Sequence, residues 1–370
     1  MAGIYVHIPF CARRCIYCGF FSTVRENEAA RYVNALCAEL RQRKDYLKDY
    51  PVTTVYFGGG TPSRLSPEQI GQVIDCISSA YGLENLEEFT VECNPDDITP
   101  AYISALRRIG VNRISMGVQT FNDDLLRFLG RRHTAAQAIS AVQTCRESGI
   151  SNISIDLMYG LPGQTADIQQ HDLQVASGLD VSHVSSYCLS YEEGSPLERM
   201  RDDGRITPAD DDVCAQMYDR MCAHLQQTGF VHYEISNFCR PGYHSRHNSS
   251  YWDGTPYLGI GAGAHSYNGT SRQWNPNNLD AYLSGVEQGK LQYEIENLSE
   301  TDRYNERIML SLRTAQGLNL SLLTPQDRLD ILESAQNLIS NGSLKLDSDH
   351  LSIPEQKMFI SDSIISSLFR

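Results

Sequence analysis

Apolar and polar positions follow two rhythms from residue 3 to about 240. Short apolar runs mark strands, and longer stretches with apolar residues three and four apart mark helices. Gly3–Phe10 reads as a strand, followed by a helix over Glu26–Tyr46 that contains neither Gly nor Pro. Strand and helix then alternate: Val52–Phe57 with Pro67–Tyr81, Phe89–Glu92 with Pro100–Ile109, and Arg113–Gln119 with Asp123–Leu129 and Thr134–Ser148. Asn152–Tyr159 pairs with Thr165–Ser177, His183–Leu189 with Pro208–Gln227, and Val231–Ile235 reads as a further strand. Ser66 before Pro67 is a helix start, a capping hydroxyl ahead of a proline whose missing N–H costs nothing there.

Repeated β-then-α units imply a parallel sheet with crossover helices, and enough of them in series close, or nearly close, into a barrel. The predicted class is α/β, a partial (β/α)6 TIM-like barrel over residues 1–235. Residues 236–300 break the rhythm. They are rich in Gly, Asn, Tyr, Ser and Pro, hold both tryptophans, and read as an irregular covering segment. Residues 301–370 resume helical patterning at Arg303–Arg313 and Pro325–Ser340. Leu344–Leu346 and Leu351–Ile353 flank a hairpin turn, and a last helix is expected over Glu355–Leu368. This is a small C-terminal α+β domain, winged-helix-like in order. Its sparse Lys and Arg favour a packing or partner role over DNA binding.

Charge sharpens the picture. The 370 residues carry 31 Lys and Arg against 45 Asp and Glu, a net charge of −14. That excludes an extended nucleic-acid surface and disfavours docking on anionic lipid. No apolar run approaches the ~18 residues of a membrane span, and the start reads as a strand, not a signal peptide. With eleven scattered cysteines and no disulfide framework, the expected location is the cytoplasm, any membrane association running through a partner.

The chemistry-bearing residues gather at strand C-terminal ends, the active face of such a barrel. Cys11, Cys15 and Cys18 follow the first strand as C-x3-C-x2-C. Gly58-Gly59-Gly60-Thr61-Pro62 follows the second, Glu92-Cys93-Asn94-Pro95 the third, Gln119 the fourth and Tyr159-Gly160-Leu161-Pro162 the fifth. A single zinc ion wants four ligands, and no fourth Cys or His sits nearby, His7 being held on the preceding strand. Iron–sulfur clusters take Cys thiolates, and three would leave one iron of a [4Fe–4S] cube open. Arg13 and Arg14 would offset cluster charge and lower thiol pKa values. A thioredoxin-like Cys15-x-x-Cys18 pair belongs at a helix N-terminus in another fold. Cys37, Cys76, Cys145, Cys214 and Cys222 sit on predicted helices and read as core.

This cysteine motif after the first strand of an α/β barrel resembles the radical S-adenosylmethionine (SAM) superfamily. The stretch Tyr5-Val6-His7-Ile8-Pro9-Phe10-Cys11 resembles its HemN/HemW group, as do Ser115-Met116-Gly117-Val118-Gln119, Asp156-Leu157-Met158-Tyr159-Gly160-Leu161-Pro162 and Tyr233-Glu234-Ile235-Ser236-Asn237-Phe238. The resemblance implies an open barrel with the cluster at its mouth, SAM chelated by the open iron, and reductive cleavage to a 5′-deoxyadenosyl radical. It implies SAM contacts from Gly59, Gly60 and Thr61 to the amino group, and from Glu92 and Asp156 to ammonium or ribose hydroxyls. Gln119 and Arg131 would meet polar and carboxylate groups, Tyr5 and Tyr17 would line cluster and adenosine, and Cys188 would contribute a further contact, through its backbone alone in one reading.

The oxidase branch of this group, oxygen-independent coproporphyrinogen III dehydrogenase, carries a fourth cysteine where this chain has Phe20. It also has an extension ahead of the barrel, whereas strand 1 here begins at about residue 3. His247-Asn248-Ser249-Ser250-Tyr251-Trp252 matches instead the H-N-x-x-Y-W motif of the heme chaperone branch. Imidazole is a common axial ligand to heme iron, and Tyr251 and Trp252 offer flat faces to a macrocycle. The resemblance thus implies heme on His247, Tyr251 and Trp252, with His265 in second rank, and delivery to membrane respiratory-chain apoproteins. An electron donor would feed the cluster, and the aromatic loop leaves a homodimer open. Two alternatives remain at this point: the dehydrogenase, and a cluster-less heme-binding scaffold.

Overall fold

The computed structural model describes all 370 residues. Six parallel strands lie side by side in chain order: β1 (Ala2–Ile8), β2 (Val52–Gly59), β3 (Glu88–Cys93), β4 (Arg113–Gln119), β5 (Asn152–Tyr159) and β6 (His183–Cys188). The crossovers are α1 (Ala29–Gln42), α2 (Pro67–Tyr81), α3 (Pro100–Arg108), the pair α4 (Asp123–Leu129) and α5 (Ala135–Glu147), and α6 (Ala166–Gly178). Two helices, α7 (Pro196–Asp202) and α8 (Asp211–Gln227), lead to the hairpin β7 (Val231–Glu234) and β8 (Asn237–Cys239), with β8 antiparallel to β6. The barrel is open, because the sheet ends in free edges rather than a closing pair.

Alternation along the strands divides two environments. Ile4, Val6 and Ile8, Val55 and Phe57, Ile114 and Met116, and Ile153 and Ile155 face the helices in one large apolar core. Each such side chain contributes roughly 1.5–3 kcal/mol by leaving water. The other face is polar and aromatic: Tyr5, His7, Tyr56, Glu88, Glu92, Arg113, Ser115, Asp156 and His183. Ordinary TIM barrels fill that space with branched aliphatics. Here the core sits between sheet and helices, and the interior is left to polar groups.

Residues 236–300 are not irregular, which corrects the sequence reading. The short helix α9 (Arg246–Trp252) is followed by β9 (Tyr257–Ile260), β10 (His265–Tyr267) and β11 (Ser271–Trp274), then α10 (Leu279–Glu287) and β12 (Glu294–Asn297). β9 pairs parallel with β1, and the rest continue antiparallel, giving a 12-stranded sheet. Strands of three or four residues, broken by glycine, are too short to show a period of two.

The C-terminal part is α+β, with α11 (Glu300–Leu312), α12 (Pro325–Ser340) and a three-stranded sheet of β13 (Leu318–Asn319), β14 (Lys345–Asp347) and β15 (His350–Ser352). The expected last helix splits into a 3-10 segment, Glu355–Ile360, and α13 (Ser361–Ser366). No helix is long and apolar enough to cross a membrane.

Candidate functional site

The loop after β1 is pinned at both ends. Cys11 N–H donates to the Thr23 carbonyl at 2.9 Å, and Thr23 N–H to the Pro9 carbonyl at 2.7 Å. His7 adds a third fixing point. Its Nε2–H donates to the Phe21 carbonyl at 3.0 Å, and its Nδ1 accepts from the Tyr5 hydroxyl at 3.2 Å. Both ring nitrogens are therefore engaged, and His7 is a strut for the cysteine loop, not a ligand.

Cys11, Cys15 and Cys18 line one side of a cavity of about 630 Å³ at the mouth. Cys11 is buried and the other two half-buried. Their donor atoms are not all within 4.8 Å of one another, whereas one trio elsewhere in the chain is. Against Cys11 pack the glycines that end β2. Gly59 has φ +110°, and a Cβ there would lie 2.6 Å from the His7 ring. A Cβ on Gly60 would lie 2.8 Å from the Pro9 carbonyl carbon and 3.0 Å from Cys11 Sγ. Bare backbone is what lets the two loops meet. The Thr61 hydroxyl lies 3.3 Å from Cys11 Sγ.

Four polar side chains complete the wall. Glu92 accepts from the Tyr56 hydroxyl at 2.7 Å and from Gly59 N–H at 3.2 Å. Burial, reinforced by Asp156, still pushes its pKa up to about 7. Burial likewise raises Asp156 to about 6, against hydrogen bonds from Ser185 and Ser115. Arg131 lies with Nη1 3.4 Å from Cys15 Sγ, and Nη2 donates to Asn94 Oδ1 at 2.7 Å and the Gly117 carbonyl at 2.5 Å. Its buried Nε has no partner. Gln119 adopts φ +74°, rare for a residue with a side chain, where the β4–β5 register slips between Gly117 and Gln119. Such strain costs of order 1–3 kcal/mol and collects at ligand sites.

Of the residues expected around SAM, Tyr17, Gly59, Gly60, Thr61, Glu92, Gln119, Arg131, Asp156 and Cys188 all line this cavity. Tyr5 does not. It sits deeper, stacked 6.1 Å from Tyr56, and acts through His7. Asn94 and Tyr187 line the cavity but were not singled out as contacts. Each neighbours a residue that was: Asn94 stands in the strand-end motif with Glu92, and Tyr187 precedes Cys188.

The expected heme trio lies at the other end of the barrel. α9 plugs the floor, its Arg246 and His247 N–H groups donating to Glu88 at the start of β3 at 2.8 and 3.1 Å. His247 is fully buried. Its Nδ1 is 2.8 Å from the Thr54 hydroxyl and its Nε2 3.0 Å from the Tyr251 hydroxyl. The ring stacks 5.1 Å from Tyr56 and 6.4 Å from Tyr5. Burial lowers its pKa to about 4, so the imidazole is neutral, with its one lone pair and one N–H both used. His247 thus has both ring nitrogens occupied in this arrangement, and Tyr251 and Trp252 lie half-buried beside it. His265 is different. It is exposed, stacked 5.9 Å from Trp274, and its loop opens on the mouth side because β9 runs parallel to β1.

An open parallel barrel with three thiols beside a glycine-ended strand at the rim of a polar cavity defines a radical-SAM-type protein. Comparison with known proteins agrees: the radical SAM superfamily model matches residues 5–173, and the HemN C-terminal domain matches residues 298–360. The heme chaperone HemW of Mycobacterium tuberculosis is 34% identical over 99% of this chain and 94% of its own length. That of Bacillus subtilis is 36% identical over 86% and 85%. A zebrafish (Danio rerio) mitochondrial radical S-adenosyl methionine domain-containing protein 1 is 31% identical over 99% and 86%. The solved structure of HemN, the coproporphyrinogen III oxidase of Escherichia coli, superposes with a TM-score of 0.86 over 100% of this chain and 90% of that one, at 23% identity, a likeness of fold. The chain belongs to the HemW family of the radical SAM superfamily.

Proposed function

We propose that the chain holds a [4Fe–4S] cluster on Cys11, Cys15 and Cys18, binds SAM beside it, and carries heme to respiratory-chain apoproteins of the membrane. One observation carries the first part: three thiols line a single cavity beside bare glycine backbone that packs directly against Cys11. Bound there, the cluster supplies an electron and SAM the sulfonium that accepts it. The protein's own groups do the positioning. Gly59, Gly60 and Thr61 leave room for the amino group, and Glu92 and Asp156 accept from ammonium and ribose donors. Arg131 keeps a spare N–H for a carboxylate and offsets thiolate charge at Cys15. An external electron donor is part of this reading.

Heme carriage rests on the relatives named above as heme chaperones. His265 is the ligand this arrangement favours over His247, because its imidazole is exposed, neutral through a lowered pKa, and backed by the Trp274 ring. Anaerobic reconstitution is expected to give about four irons per chain, lost in Cys15→Ala. Heme titration followed by the Soret band is expected to weaken in His265→Ala and persist in folded His247→Ala. The opposite order would return the role to His247. Formation of protoporphyrinogen IX from coproporphyrinogen III, with SAM and a reductant, would replace the carrier by the dehydrogenase.

A further inference from the structure

Far from the mouth, the 3-10 segment Glu355–Ile360 docks against α8 and β7. There Cys222 of α8, His232 of β7 and Glu355 bring one thiol, one imidazole nitrogen and one carboxylate oxygen within 4.8 Å of one another. The thiol is buried, the His232 side chain is 6% exposed, and Glu355 opens to solvent at 36%.

The hydrogen bonding fixes which atoms face inward. His232 Nε2 lies 3.4 Å from the Ile235 carbonyl, an acceptor that can hold the ring hydrogen when Nδ1 binds a cation. Nδ1 then points at Glu355 Oε1, 3.1 Å away. Without a metal, a hydrogen on Nδ1 donates to this carboxylate, and a second one on Nε2 makes the contact an ion pair. The buried sulfur favours a metal: although the thiol also meets Tyr218, a soft donor beside nitrogen and oxygen suits a borderline cation. A tetrahedral zinc ion with N and O ligands at ~2.0–2.1 Å sets those atoms about 3.3 Å apart, close to the separation found, and takes sulfur at ~2.3 Å.

The surroundings fit the same reading. The Ile235 carbonyl orients the histidine as outer partners of metal ligands do, and Gln226 Nε2 donates to Glu355 Oε1 at 2.5 Å. Phe238 stacks on the His232 ring at 4.2 Å, and Tyr218 packs against both His232 and Phe359, which keeps the inner side dry. The solvent side leaves room for water as fourth ligand. We propose that Cys222, His232 and Glu355 form a zinc site of three protein ligands with an open fourth position, which fastens the C-terminal domain to the barrel and is separate from the cysteines of the mouth. Binding turns the Cys222 thiol into a thiolate and releases one proton.

The test uses the full chain with Cys11, Cys15 and Cys18 replaced by serine, so that metal has no thiolate at the mouth. Titration with cobalt(II) is expected to give one ion per chain with a thiolate-to-cobalt band, displaced by zinc. Zinc should raise the melting temperature. Cys222→Ser should abolish the band, and His232→Ala should weaken binding on the order of 100-fold. Glu355→Gln, a partly exposed and shape-conserving change that leaves folding intact, should weaken it at least tenfold. Absence of the thiolate band, or equal affinity in the parent and Glu355→Gln, overturns the site. Zinc-dependent melting that survives Cys222→Ser does the same.

Discussion

Glu92 is the residue whose protonation reports on the mouth. Burial holds its pKa near 7, against 4.5 for an ordinary glutamate, and Arg113 and the Tyr56 hydroxyl pull against the rise. A raised pKa acts on stability with a definite sign. The ionised form is the disfavoured one in the folded chain, so the ligand-free protein gains stability as pH falls from about 7 toward 4.5. A cationic ligand reverses the preference, since SAM's ammonium and sulfonium favour the carboxylate. SAM affinity is therefore expected to rise with pH and level off above about pH 8. At about pH 6 only a small fraction of Glu92 is ionised, so the dissociation constant should be roughly tenfold weaker than at the plateau. Calorimetry in buffers of different ionisation enthalpy should show proton release on binding. Glu92→Gln should bind SAM weakly at every pH and show no release. A flat pH profile in the parent chain would remove Glu92 from the ligand.

At the scale of elements, two loops and one plug decide what the barrel can hold. A methyl group at Gly60 meets the Pro9 backbone and Cys11 Sγ at once. Backbone cannot swing aside as a flexible side chain can, so Gly60→Ala is expected to destabilise by about 1–3 kcal/mol and to retain less iron after reconstitution. A variant that folds and keeps full iron would show that the two loops need not touch. At the opposite end, His247→Ala empties the space between Tyr5 and Tyr56 and strands the Thr54 and Tyr251 hydroxyls. The expected loss is roughly 2–4 kcal/mol in denaturant unfolding, from cavity and unpaired polar groups together.

This difference between the two ends explains what could be read from the chain. Cys11, Gly60 and Gln119 were legible as a mouth because strand ends are marked by punctuation, and parallel strands put those ends on one side. His247 was legible as a motif but not as a place. Nothing in His-Asn-Ser-Ser-Tyr-Trp says which end of the barrel it enters; that is set by Glu88, a residue 159 positions earlier that caps the plug. The strands β9 to β12 were lost for a related reason. Their pairing along the β1 edge is non-local, and each is too short to announce itself.

Over the whole molecule the charge of −14 poses a problem for a heme carrier, because the propionates of heme are anionic too. Long-range repulsion would slow its approach wherever it landed. The mouth answers this locally, with Arg13, Arg14, Arg131 and Arg132 in the lining of one cavity. Arg132 is largely neutralised by Asp96 and Asp97, and Arg131 turns inward to Asn94 and Gly117. Arg13 and Arg14 remain exposed and free of such partners, so they supply the attractive field a ligand meets first. Charges more than about 8–10 Å apart are largely screened at ordinary ionic strength, so added salt weakens whichever field dominates the approach. If the ligand arrives at the mouth, added salt should slow heme association in the parent chain. In the double variant Arg13→Glu/Arg14→Glu the local field changes sign and adds to the net charge, so salt should then speed association. Stopped-flow rates across a salt series read the two slopes directly. Equal slopes in parent and variant would mean that heme approaches by another face, and the His265 side of the mouth would lose its claim.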